Sequence, residues 1–175
     1  MTKLTQAQEL KLEKAAGRKL TQGDLARLEN TMEGLQDLIA VCGDDPSRDG
    51  LLESPFRVVK AYLEYTNGNI ESPEEHLTKS FDVTHDDIVL IKDIPFNSLC
   101  EHHFAPFFGK VHIAYIPGEH ITGLSKFGRL VDGYAKRFQV QERLTQEIAD
   151  AITSTISPQA VAVIVEGTHY CMCGR

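Results

Sequence analysis

Apolar residues in the first third of the chain recur at steps of three and four. Leu25, Leu28, Met32, Leu35, Leu38 and Ile39 fall on one helical face, and Thr21 with Asp24 forms a T-x-x-D capping pattern at its start. Gly43 and the Asp44-Asp45-Pro46 turn end that helix. Ser54 as N-cap and Pro55 as first helical residue predict a second helix, with Val58, Val59, Tyr62 and Leu63 facing inward. Residues 1 to about 20 are rich in Lys, Glu and Gln, and their weak spacing (Leu4, Leu10, Leu12) predicts a helical or frayed arm. The stretch NGNIESPEE has the residues of a loop.

Past about residue 81 the period changes. Residues 87–96, 109–117 and 160–167 are β-branched, partly alternating runs bounded by Gly or Pro, and they predict strands. Two helical stripes lie between the last two: Leu124, Phe127, Leu130, Val131 and Tyr134, then Val140, Leu144, Ile148, Ile152 and Ile156. The fold class is α+β: an antiparallel sheet with helices on one side, preceded by an N-terminal helical region. The expected layout is an arm over 1–20 and one domain over 21–175, with helices over about 21–80 and the sheet over about 81–175. So few strands leave sheet edges to cover, and joining subunits edge to edge is one way to cover them.

Composition narrows the function. The formal net charge of -7, from 25 acidic and 18 basic residues, excludes a broad nucleic-acid-binding face but leaves room for a small anion on a local basic cluster. No apolar stretch approaches the ~20 residues that span a bilayer, so no membrane partner is expected. The polar N-terminus has no signal-peptide core, and four unevenly spaced cysteines make no disulfide framework. A cytoplasmic protein with reduced thiols is expected.

The chemistry concentrates in two clusters, each directly after a strand: Cys100-Glu101-His102-His103 and His169-Tyr170-Cys171-Met172-Cys173. Thiolate and imidazole are zinc ligands; a C-x-x-H pair with one distant Cys leaves a fourth position open, as in catalytic sites. Spacing alone also allows a closed structural site that uses both Cys171 and Cys173. Ser125, Lys126 and Arg129 open a helix, where free N–H groups and cations suit a phosphate.

The runs DPSRDGLLESPFRVVK, SLCEHHFAPFFGKVHIAYIPG, GLSKFGRLVDGYAKRFQVQERLTQEIADAI and EGTHYCMCGR together resemble the zinc-dependent GTP cyclohydrolase I family over most of residues 25–175. The resemblance implies the tunnelling fold, in which subunits join their sheets into a barrel and two rings stack into a decamer with active sites between subunits. It implies hydrolysis of GTP to 7,8-dihydroneopterin triphosphate and formate, with Zn2+ on Cys100, His103 and Cys171. By the same resemblance His102, His169 and Ser125 are catalytic. Lys126, Arg129 and Arg175 hold the ribose-triphosphate end, with Arg57 as a further contributor, and Gln141 and Glu142 read guanine. Family members continue past the residue matched by Arg175, so a naturally short member or a trimmed chain is expected. A zinc-stabilised, non-catalytic scaffold or regulatory subunit is the alternative; His102, His169 and Glu142 together speak against it, because a structural zinc needs none of them.

Overall fold

The structure is a computed structural model that describes residues 3–82 and 87–174. The chain forms two compact units, Met1–Asn67 and Gly68–Arg175. Among the described residues no helix is long and apolar enough to cross a membrane.

The first unit is helical. The arm is a capped helix, α1 (Gln6–Ala16): Thr5 and Gln8 form a reciprocal capping box, and Gly17 closes the other end at φ 67°. Its weak stripe suffices because Leu12, Ala15 and Ala16 are buried. Helix α2 (Gln22–Val41) starts on the Thr21/Asp24 capping box. Of its long apolar stripe only Leu25 is buried, and Leu38 is 56% exposed. Helix α3 (Ser54–Tyr65) packs on both α1 and α2. Ser54 is its first residue rather than its cap, and Glu53 takes the cap position in helical backbone without a side-chain bond. The reason is the turn that precedes it, in which Leu52 N–H donates to Arg48 O and Ser54 N–H to Leu51 O, so the chain enters α3 already coiled. Val59 is buried as the periodicity requires, but Val58 is exposed.

The second unit opens with a helical surprise in the expected loop. Pro73–Leu77 forms a 3-10 turn whose Pro73 and Leu77 are buried. Strand β1 (Ser80–Asp82) follows, then β2 (Val89–Cys100), β3 (Pro106–Ile116), β4 (His120–Thr122), α4 (Leu124–Ala135), β5 (Phe138–Gln139), α5 (Gln141–Ile156), β6 (Ala160–His169) and a last helical turn, α6 (Tyr170–Cys173). The main sheet has the order β5-β2-β3-β6, and β1 pairs separately with β4. Its three long strands are antiparallel; the two-residue β5 lies parallel to the end of β2, so the sheet is not wholly antiparallel as expected. A bulge between Ile91 and Ile94, with Asp93 at φ 60°, turns β2 partway along.

One face of the sheet is dry. Phe107, Val111, Ile113 and Tyr115 alternate along β3 and pack with Phe127, Leu130 and Val131 of α4 and Leu144, Ile148 and Ile152 of α5. The period-2 and period-3.6 stripes meet there, which places helices on one side of the sheet. Strands β2 and β6 both run further toward the Cys/His clusters than the residue pattern suggests, to Cys100 and His169.

Candidate metal centre and its surroundings

The turn between β2 and β3 is wound tightly. Cys100 N–H donates to Ala105 O at 2.8 Å, and Cys100 O accepts from Phe104 N–H at 2.8 Å and from His103 N–H at 3.4 Å. Phe104 takes up the reversal in the left-handed region at φ 54°. This winding brings His103 back over Cys100, with Sγ to Nδ1 at 3.9 Å. The third member comes from far along the chain. Strand β6 pairs with β3 in a register that sets His169 opposite Phe107, and the α6 turn then carries Cys171 to the same place.

The candidate ligand atoms of Cys100, His103 and Cys171 all lie within 4.8 Å of one another. Two thiolates and an imidazole are donors of the kind zinc takes, and the 3.9 Å from Cys100 Sγ to His103 Nδ1 lies close to the about 3.3–3.8 Å between neighbouring ligand atoms that tetrahedral bonds of about 2.0–2.3 Å give. Cys100 is buried, Cys171 half-buried and His103 exposed, so the cluster opens toward solvent on one side. Cys173, at the end of the same turn, is exposed and lies outside the group among the described residues.

Beside the cluster, His169 is held on two sides. Its ring stacks on buried Phe107 at 4.6 Å and 6°. Its Nε2 lies 2.8 Å from Gln141 Oε1, while Gln141 Nε2 donates to Val165 O at 3.0 Å. His102 projects outward, 65% exposed, with Nε2 3.9 Å from Glu101 Oε1. Glu142 is exposed in the first turn of α5.

Sequence reasoning passed over the network that ties this turn to α5. Arg143 donates through Nη2 to Glu101 Oε2 at 2.5 Å and to Phe138 O at 2.8 Å, and through Nε to Gln139 Oε1 at 2.9 Å. Gln139, 1% exposed, passes its own N–H groups to Glu147 and to Tyr134 O, and Gln139 O accepts from Glu101 N–H. The Arg143 guanidinium holds the Glu101 carboxyl below the usual carboxylate range. The only signal was that Arg143 stands off the Leu144–Ile148 stripe, which every solvated charge does.

Ser125, Lys126 and Arg129 lie in the first turns of α4 behind Gly123, which offers no side-chain cap. Among the described residues their side chains make no hydrogen bond or ion pair, and none joins them to the Cys/His cluster. Arg57 is exposed on α3 in the first unit. Arg175 lies outside the described residues.

Fold and cluster together define a mixed α+β protein with a three-residue candidate metal centre at one end of its sheet. The chain belongs to the GTP cyclohydrolase I family, whose sequence profile matches residues 31–175. It is similar to the GTP cyclohydrolase 1 of Corynebacterium glutamicum, 50% identical over 149 residues that cover 84% of this chain and 76% of that protein. It is likewise similar to the enzymes of the same name from Bacillus subtilis (47% identical, 84% of this chain and 78% of that one) and Clostridium perfringens (49%, 84% and 80%).

Proposed function

We propose that the chain hydrolyses GTP to 7,8-dihydroneopterin triphosphate and formate, the first step of a pterin or tetrahydrofolate route, with Zn2+ held by Cys100, His103 and Cys171. The observation that carries this is the convergence of those three side chains, within 4.8 Å, in a chain of this family. Zinc held by Cys100, His103 and Cys171 would supply the Lewis acidity that makes water a nucleophile at neutral pH, the chemistry that attack on guanine C8 requires. His169 and His102, each within two residues of a member of the cluster, exchange protons with the purine as its five-membered ring opens. Ser125 serves the later proton transfers at the ribose. Lys126, Arg129, Arg175 and Arg57 offset the triphosphate charge.

Guanine offers two donors side by side, the N1–H and the exocyclic amine. The exposed Glu142 carboxylate accepts both in a fork. Gln141 keeps one amide N–H for the same base, beyond the one it donates to Val165. Adenine has no amine at C2 and an acceptor at N1, so it leaves the carboxylate unpaired.

The site is read as shared between subunits of a homo-oligomer, a ring-based decamer. One observation supports this: among the described strands β6 pairs with β3 alone, which leaves a ten-residue edge. A cytoplasmic setting suits the four cysteines, all of which are thiols.

The test is metal analysis combined with incubation on GTP, assayed for formate and for fluorescence of the oxidised pterin. About one zinc per chain and formate from GTP are expected. Glu142→Gln should cut GTP turnover at least ten-fold, about 1.4 kcal/mol in transition-state binding, with metal content intact. Metal without formate would return the chain to a zinc-stabilised scaffold.

A further inference from the structure

We propose that Gln141 is a positioning residue for His169 and that Gly167 is the side-chain-free position that lets the two meet. The inference rests on the reading of His169 as a proton-transferring group. Gln141 sits at the start of α5, and His169 ends β6, 28 residues later. The orientation of the Gln141 amide follows from its other bond. Nε2 faces the Val165 carbonyl at 3.0 Å and must donate there, so the atom turned to His169 is Oε1, an acceptor. His169 Nε2 therefore carries a proton and donates it to Gln141.

The ring thus loses both of its freedoms. Stacking on Phe107 at 4.6 Å and 6° fixes its plane, and the bond to Gln141 fixes its rotation within that plane. Phe107 is fully buried and belongs to the core that includes residues of α4 and α5. A proton-transfer group needs its reacting nitrogen aimed, and misplacement by about 1 Å can cost about 10²-fold in rate.

Gly167 lies where the hydrogen bond crosses the strand. A Cβ built there would stand 2.6 Å from Gln141 Oε1 and 3.3 Å from His169 Nε2. Its backbone does not require glycine, because among the described glycines only Gly17 and Gly43 have positive φ. The atom struck is the far end of a flexible side chain. An alanine would therefore displace the Gln141 amide and leave the strand in place. Gly109, opposite Gly167 in the sheet, contrasts with it: a Cβ there would meet the Glu166 backbone oxygen at 1.8 Å, a collision only the fold can absorb.

The experiment compares Gly167→Ala, Gln141→Ala and the double variant in steady-state GTP turnover. Metal content and thermal melting are measured alongside. The expected result is a fall in kcat of ten- to hundred-fold in each single variant, with KM for GTP within about three-fold in Gly167→Ala, and zinc content equal to the parent. The double variant should lose no more than the weaker single, because both act through one hydrogen bond. Gly167→Ala turning over GTP like the parent would overturn the proposal. So would a Gln141→Ala variant that raises KM and keeps kcat, the behaviour of a residue that only reads the base. Should Gly167→Ala fail to fold, the split between kcat and KM in Gln141→Ala decides. A parent protein that releases no formate would refute the proposed function instead, a different outcome from an active parent with an indifferent Gly167.

Discussion

Replacing Arg143 by methionine tests how the metal-bearing turn is anchored to α5. The stem keeps its packing and the guanidinium is lost. Three acceptors then lose a donor: Glu101 Oε2, Phe138 O and Gln139 Oε1. They differ in what replaces it. The Glu101 side chain is 36% exposed and Phe138 is 38% exposed, so water takes both. Gln139 is 1% exposed, and both N–H groups of its amide are committed to Glu147 and Tyr134, so its oxygen cannot turn toward solvent. A buried acceptor left unpaired costs about 1–3 kcal/mol. Taking about 2 kcal/mol, the urea midpoint should fall by about 1 M for a slope near 2 kcal/mol/M. Melting should fall by about 4–8 °C for a chain of this size. The assay is urea unfolding at fixed protein concentration with metal present, followed by circular dichroism. Glu101→Gln, which removes the charge alone, should move the midpoint far less, because both partners of that ion pair are partly exposed and screened. Equal shifts from Glu101→Gln and Arg143→Met would refute the reasoning and make the anchor electrostatic. An Arg143→Met midpoint equal to the parent's would show that the Gln139 oxygen does not depend on it.

Three further outcomes are expected. Cys171→Ser should lose metal and formate release together while Cys173→Ser keeps both, since only the first lies in the cluster; metal analysis of the purified variants decides this. Tyr134 should ionise late: burial first, and then its hydrogen bond to Glu74, push its pKa up to about 12. A raised folded pKa means stability that is complete below the ordinary tyrosine pKa near 10 and lost as pH rises through about 12, so Tyr134→Phe should flatten the alkaline fall in stability between those values and remove one late step from the ultraviolet titration. Thr21→Ala should cost about 1 kcal/mol in the helical first unit by opening the α2 capping box, read as earlier loss of helix on urea titration, with Thr21→Ser restoring it.

The residue pattern alone determined the elements whose signal is local. The α2 stripe, the α4 and α5 stripes, the three long strands and the Thr21/Asp24 cap depend on periods of 3.6 and 2 and on short side-chain reach, and these are written in neighbouring residues. It also placed the two Cys/His clusters at strand ends. What it could not contain was anything set by which strands pair. The short pairs β1–β4 and β5–β2 carry no periodic signal, being two or three residues long. The weak arm became α1 because Leu12 found a buried place, a gain that only packing supplies. That Cys171 stands near Cys100 and His103 while Cys173 is exposed depends on the β3–β6 register and on the winding of α6. The Gln141–His169 bond, the gap at Gly167 and the anchor through Arg143 and buried Gln139 belong wholly to the tertiary structure. Each joins residues from different elements, and a hydrogen bond between elements exists only when packing has fixed both ends.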